Sequence, residues 1–334
     1  MTDCQVSLNF GRRGLRAQKK PLSQGRKWSD WTGADGGIIG KREKRAGMNC
    51  NYLFTVVNYQ NQGVPGGGRG MIGKERLAAM VLKWDVTIPE LTGEERRSAY
   101  VYLPVSYDWD TERRYPVLYM FDGHNVFFDS DATYGKSWGL GGYLDATETP
   151  LIVAAVECNH SPDNGRLSEY SPYTFYDPDL GHFVGQGRTT LDWFVQSFKP
   201  EIDRRFRTYP DRRHTFIGGS SMGGLMSLYA ALEYNHVFAR AASLSPSLWV
   251  APDRLARTIR GADVRRDTVI YMDYGSRELG NHELMEGQFA RVVNQLLERR
   301  ILLTCRIVPG GDHCEASWER QNPFFINTLM YNVD

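Results

Sequence analysis

The chain predicts an α/β protein, a mostly parallel central sheet with helices on both faces. Three observations carry that expectation. Two runs, YPVLYMF at 115–121 and LIVAAV at 151–156, are apolar at nearly every position, as a strand buried on both faces must be. Strand-like and helix-like stretches alternate after an opening antiparallel pair. At His214 to Tyr234 a short β-prone run passes through a glycine-crowded turn directly into an apolar helix.

Taken in order, Val81 to Ile88 (VLKWDVTI) and Ser98 to Leu103 (SAYVYL) read as strands, and charged Pro89 to Arg97, with Gly93, connects them. Tyr115 to Phe121 is a buried strand that ends in Asp122-Gly123-His124-Asn125. Leu151 to Val156 is another, and runs into Glu157-Cys158-Asn159-His160. From Arg188 to Phe206, apolar residues at 191, 194, 195, 198, 202 and 206 keep a helical period. After the strand–turn–helix at 214–234, Ala241 to Leu244 forms a short buried strand before Ser245-Pro246-Ser247. Asp267 to Tyr274 is the next strand, His282 to Arg300 a helix, Leu302 to Val308 the last strand and Glu315 to Tyr331 a closing helix. One domain, from about Met80 to residue 334, accounts for all of this.

The first seventy residues are different. They hold twelve Lys/Arg against four Asp/Glu and thirteen glycines, so nearly all the positive charge of a 334-residue chain of net charge +1 is offset further on. Few apolar residues recur at a steady period, and residues 1–70 are expected to be a poorly ordered basic extension. A basic arm for nucleic acid, with Arg12, Arg13, Lys19, Lys20 and Lys41 to Arg45 as contacts, is the functional alternative. No nucleic-acid module follows it, so no nucleic-acid partner is expected. Gly66-Gly67-Gly68-Arg69-Gly70 before Met71, and Lys74-Glu75 before Met80, would be written in purine-rich codons, as ribosome-binding sites ahead of start codons are. The expected natural start is therefore Met71 or Met80. There is no secretory signal pattern and no apolar run long enough to cross a bilayer. Cys4, Cys50, Cys158, Cys305 and Cys314 have neither a disulfide framework's spacing nor a C-x-x-C zinc site's. A reducing, cytoplasmic setting without a membrane partner is the expectation.

The turn at 214–234 carries the chemistry. Gly219-Ser220-Ser221-Met222-Gly223 is the only frame that fits G-x-S-x-G between a strand and a helix, the nucleophile-elbow arrangement, with Ser221 at its apex. Side chains two residues either side of so sharp a turn would collide, hence the glycines. Gly223, Ser227, Ala230 and Ala231 let the helix pack close to the sheet. Its free N–H groups face the serine and favour developing negative charge.

A serine hydroxyl needs an imidazole to take its proton. In open α/β sheets ligands bind beyond the carboxyl ends of the strands, so the partners are sought in the loops there, in the chain order Ser, acid, His. His313, in Pro309-Gly310-Gly311-Asp312-His313 directly after the last strand, suits the base. The acid lies in Asp273-Tyr274-Gly275-Ser276-Arg277-Glu278; Glu278, past the glycine, is favoured over Asp273 at the strand edge. An oxyanion hole requires two N–H donors, one from Met222 and one from the loop 122–125. The backbone of His124 is preferred there, with Gly123 as the alternative.

With these residues in place, the chain resembles the putative esterase family of α/β-hydrolases, which includes esterase D, enterochelin esterases, feruloyl and acetylxylan esterases and mycolyltransferases. The matching pieces are YPVLYMFDGHNVF at 115–127, GKSWGL at 135–140, EYSPY at 169–173, GGSSMGG at 218–224, SLSPSLW at 243–249, DYGSRELG at 273–280 and GGDHCEASWERQNP at 310–323. The resemblance implies the α/β-hydrolase fold, no metal or organic cofactor, and a Ser221-His313-Glu278 triad. SLSPSLW lies closer to enterochelin- and carbohydrate-esterase-like members than to S-formylglutathione hydrolases, which points to a small-molecule or carbohydrate ester. Trp138 and Trp249 lie in loops that would border its pocket or be buried for structural reasons. Asp163, Arg166 and Glu169 form a polar rim or pin the loop 157–176. The rival readings are an acyltransferase or thioesterase with the same triad, and a hydrolase-fold protein that only binds. The sequence sets no oligomeric state.

Overall fold

Strand and helix alternate along the chain in the computed structural model, which describes residues 55–58, 80–278 and 282–333. The strands among them are β1 Thr55–Asn58, β2 Met80–Thr87, β3 Arg96–Leu103, β4 Val117–Met120, β5 Ile152–Val156, β6 Phe175–Asp177, β7 Gly181–Phe183, β8 Thr215–Ser220, β9 Arg240–Leu244, β10 Val269–Gly275 and β11 Leu302–Val308. The helices are α1 Pro89–Thr92, α2 Leu140–Ala146, α3 Gly165–Glu169, α4 Gly187–Trp193, α5 Lys199–Arg205, α6 Met222–Glu233, α7 Pro252–Gly261, α8 His282–Glu298, α9 Glu315–Glu319 and α10 Asn322–Met330.

Nine strands make one sheet in the order β1-β2-β3-β5-β4-β8-β9-β10-β11, while β6 and β7 form a separate ribbon. Pairing is antiparallel from β1 through β3 to β5. From β5 to β11 every pairing is parallel. The predicted α/β class, mostly parallel after an antiparallel opening, is the class of this sheet.

The pleat distributes the apolar runs between two cores, because successive side chains of a strand point to opposite faces. Val117 and Tyr119 of β4 join Leu191, Ile202, Leu225, Leu228, Leu255, Ile259 and Leu296 from α4 to α8. Leu118 and Met120 turn the other way, onto Leu140 and Leu144 of α2 and Phe325, Ile326 and Leu329 of α10. A strand with helices on both sides has no polar face to show, which is why YPVLYMF reads as continuous.

Several expected elements differ in detail. The helix expected over 188–206 contains a π-helical turn at Phe194–Phe198. Pro200 follows one residue beyond it and has no N–H to give to the turn before it, so the regular ladder is interrupted there. The helix expected over 315–331 is two, α9 and α10, with a proline in the first turn of α10. Helix α7, which buries Leu255, Ala256 and Ile259, is not among the expected elements. Within the stretch expected to be a basic extension, Thr55–Asn58 are described, and β1 pairs them with Met80–Lys83. The rest of the expectation for 1–70, and the proposed starts at Met71 and Met80, concern residues outside the described ones or the extent of the chain. No described helix is long and apolar enough to cross a membrane.

Parallel strands deliver their following loops to one edge. The segments after β4, β5, β8, β9, β10 and β11 therefore gather at the carboxyl end of the sheet, and these are the segments that hold Asp122 to Asn125, Glu157 to His160, Ser221, Ser245 to Ser247, Glu278 and His313.

Candidate active site

Strand β8 hands the chain to α6 through a single residue, Ser221, whose backbone is at φ 57° and ψ −120°. A residue with a side chain is uncommon there, and its neighbours must hold it. Ser221 N donates to Leu244 O at 3.0 Å, and Ser247 N donates to Ser221 O at 3.0 Å. A Cβ on Gly219 would come within 2.9 Å of the Gly223 carbonyl carbon, so the turn closes only because that side chain is missing. Ser221 keeps part of its surface open, and its Oγ lies 3.4 Å from Ser247 Oγ.

His313, after β11, places Nδ1 3.1 Å from Glu278 Oε2. Glu278 is 1% exposed. Its other oxygen, Oε1, accepts from Gly275 N at 2.6 Å and from Ser245 Oγ at 2.5 Å. Ser245 Oγ in turn accepts from Trp318 Nε1 at 3.0 Å, and the Trp318 ring meets the His313 ring edge to face with centroids 5.1 Å apart. Every polar atom around the carboxylate is thus spoken for. Asp273, the alternative acid, has no bond to His313. It accepts from Tyr271 Oη at 2.8 Å and from Ser245 N at 3.1 Å, and burial pushes its carboxyl up to about 7. Among the described residues no hydrogen bond joins Ser221 Oγ to His313. Such bonds are often long before substrate binds.

The loop after β4 is pinned in an unusual conformation. Asp122 sits at φ 55°, and Arg166 grips its carboxylate with Nε on Oδ1 at 2.6 Å and Nη2 on Oδ2 at 2.7 Å. Burial alone would raise the Asp122 pKa, but the Arg166 charge outweighs it and holds the carboxyl below its ordinary value. Asp122 N donates to Tyr170 Oη at 3.2 Å. At Gly123 the backbone presses on β5: a Cβ there would lie 2.9 Å from both N and C of Val156. The N–H groups of Met222, Gly123 and His124 donate to no partner among the described residues. Each remains available to an oxyanion, so Gly123 stays the alternative to His124.

The two tryptophans part company. Trp138, 3% exposed, is sandwiched against Trp318 and Phe325 with centroids 5.9 and 6.0 Å away. It is a buried structural side chain packed on Trp318, the second of the two roles expected for it. Trp249 is half-buried, edge to face with Phe175. Of the expected polar rim, Glu169 is buried against Arg97, Arg166 holds Asp122, and exposed Asp163 accepts from Ser161 Oγ. These contacts tie the loop down. Ser245 is the residue that sequence reasoning missed. It stands in the SLSPSLW stretch, yet nothing local says that its hydroxyl will bridge an indole and a carboxylate.

A strained, accessible serine, the unpartnered N–H groups of Met222 and of the loop after β4, and an imidazole backed by a buried carboxylate can together support acyl transfer. Residues 91–331 match the model of the family described as Putative esterase. Over 181 residues the chain is 27% identical to the uncharacterized protein YbbA of Bacillus subtilis (strain 168), covering 53% of this chain and 67% of that one. Over 146 residues it is 34% identical to Esterase Rv1288 of Mycobacterium tuberculosis (strain ATCC 25618 / H37Rv), covering 43% of this chain but 28% of that relative's length. In fold it is similar to an IroE-like serine hydrolase from Shewanella oneidensis, with a TM-score of 0.57, 18% identity and coverage of 75% of this chain and 80% of that one.

Proposed function

The chain belongs to the Putative esterase family and is a carboxylesterase by that membership, and we propose that it cleaves a small or carbohydrate-linked ester through Ser221, His313 and Glu278. Ser221 Oγ leaves Ser247, meets His313 Nε2 and attacks the ester carbonyl as the imidazole takes its proton. The N–H groups of Met222 and His124 hold the oxyanion. Glu278 fixes the proton of His313 on Nδ1, which leaves Nε2 as acceptor, and stabilises the imidazolium. His313 then protonates the departing alcohol. Water, deprotonated by the same imidazole, releases the acyl group from Ser221.

The observation that carries this reading is the Glu278 carboxylate, buried and fully hydrogen-bonded, with one oxygen on His313 Nδ1. A carboxylate placed so has the geometry of an orienting group. The test is a fluorophosphonate probe followed by peptide mapping, with turnover of acetyl, feruloyl and sugar esters measured beside it. Label on Ser221, lost in Ser221→Ala and much reduced in His313→Ala, is the expected result. An unlabelled but folded protein that turns over none of these esters would overturn it.

A further inference from the structure

The loops after β4 and β5 bring together a second set of side chains that the ester chemistry does not use. Candidate ligand atoms of His124, Cys158 and His160 all lie within 4.8 Å of one another. His124 is 4% exposed, and its Nδ1 has no hydrogen-bond partner, while its Nε2 lies 3.0 Å from Thr133 Oγ1. A buried polar atom left unpaired is destabilising unless something binds it. His160 has its own Nε2 engaged, 3.2 Å from Glu157 Oε1, and Ser98 N holds the other Glu157 oxygen at 2.8 Å. The two rings meet edge to face with centroids 4.6 Å apart. Cys158 is buried between them in sequence and is a free thiol.

We propose that His124 Nδ1, Cys158 Sγ and His160 Nδ1 form a binding site for a divalent metal ion of the zinc class. Two imidazoles and a thiolate suit a borderline-soft cation, whereas calcium and magnesium want oxygen. Metal-binding histidines commonly give their second N–H to a carboxylate or another oxygen, and both rings here have such an acceptor on Nε2. Tetrahedral zinc with Zn–N of about 2.0 Å and Zn–S of about 2.3 Å sets two nitrogens and a sulfur about 3.3–3.5 Å apart. The cluster must therefore close by about 1 Å, and half-exposed His160 is free to make that movement and to admit the ion from solvent. Binding exchanges the Cys158 S–H bond for an S–metal bond and releases one proton to water. Burial pushes the Cys158 thiol up, and the thiol is hydrogen-bonded to Asp122, so the ion must displace both that proton and that bond; the Asp122 charge itself is paired with Arg166. Three protein ligands leave a fourth position for water.

The test is titration of the full chain, stripped with a chelator, first with Co²⁺ and then with Zn²⁺. The expected result is one equivalent of bound Co²⁺ with a thiolate-to-cobalt charge-transfer band, displaced by Zn²⁺. Cys158→Ser should abolish the band, and His160→Ala should weaken Zn²⁺ binding at least ~10-fold. Cys305→Ser, Cys314→Ser and His313→Ala should bind as the wild type does. No stoichiometric binding, a spectrum without the thiolate band, or a band that survives Cys158→Ser would overturn the proposal. Should Cys158→Ser fail to fold, His160→Ala decides, because that side chain is half exposed and its loss leaves no cavity.

Discussion

Replacing Glu278 by glutamine tests the triad at the point where the structure constrains it most. The carboxylate makes three contacts. Gly275 N at 2.6 Å is a donor and nothing else, and Ser245 Oγ at 2.5 Å donates to the same oxygen while it accepts from Trp318 Nε1. Both sit on Oε1. An amide at this position is therefore forced to put its oxygen where Oε1 is and its NH₂ group toward His313 Nδ1. The imidazole must then accept at Nδ1 and carry its proton on Nε2, the nitrogen that has to take the proton of Ser221. Glu278→Gln thus keeps shape and two of three hydrogen bonds but selects the wrong tautomer. By the serine-protease precedent such a change costs about 10³–10⁴ in kcat, or about 4–5.5 kcal/mol. Stability should move little, about 1 kcal/mol and hence roughly 2–4 °C in Tm. The assay is kcat on a p-nitrophenyl ester beside a thermal melt. Activity within ~10-fold of wild type, in a protein of unchanged Tm, would refute the tautomer argument. So would an equal loss in Asp273→Asn, since Asp273 does not touch the ring.

Three other outcomes follow from particular contacts. Gly123→Ala places a Cβ 2.9 Å from the Val156 backbone, which cannot yield as a side chain would; the loop after β4, proposed to hold the oxyanion, must shift, and kcat/KM should fall ~10²-fold or more, with wild-type kcat/KM as the contrary result. Arg97 Nη1 is 2.7 Å from both Glu169 oxygens in a fully buried pair. Arg97→Met should cost about 3–5 kcal/mol in urea denaturation and Arg97→Met/Glu169→Leu should recover most of it; a double variant no better than the single one would argue against a stranded charge. Burial holds the Asp273 carboxyl at about 7, so the folded state keeps a proton that the unfolded chain has already lost. Stability from this group is full below the unfolded carboxyl range and erodes as pH rises to about 7. Asp273→Asn, which cannot ionise, should therefore gain Tm over wild type progressively from roughly pH 4 to 7, and a pH-independent difference between the two would contradict the assignment.

What the chain makes legible by itself is whatever neighbouring residues decide. The turn at Ser221 is of that kind: a β-prone run, glycines at 219 and 223 and an apolar helix are consecutive, and the strained φ of 57° is their joint consequence. The buried strands are legible too, because being covered on two faces leaves no polar position in YPVLYMF or LIVAAV. Strand-end placement brings His313 into consideration for the same reason, since the rule needs only the order of elements.

Tertiary structure decided the encounters. Asp273 and Glu278 are five positions apart, and position past the glycine only tilts the sequence toward Glu278; in the fold one ends under Tyr271 and Ser245 and the other against His313. Trp138 sits in a loop by sequence and in a core by structure, because α9 and α10 close over it. His124 meets Cys158 and His160 only because β4 and β5 are neighbours in the sheet and run parallel, which carries both following loops to the same edge. Strand order is set by how nine strands bury their apolar faces together, and no window of sequence contains that sum.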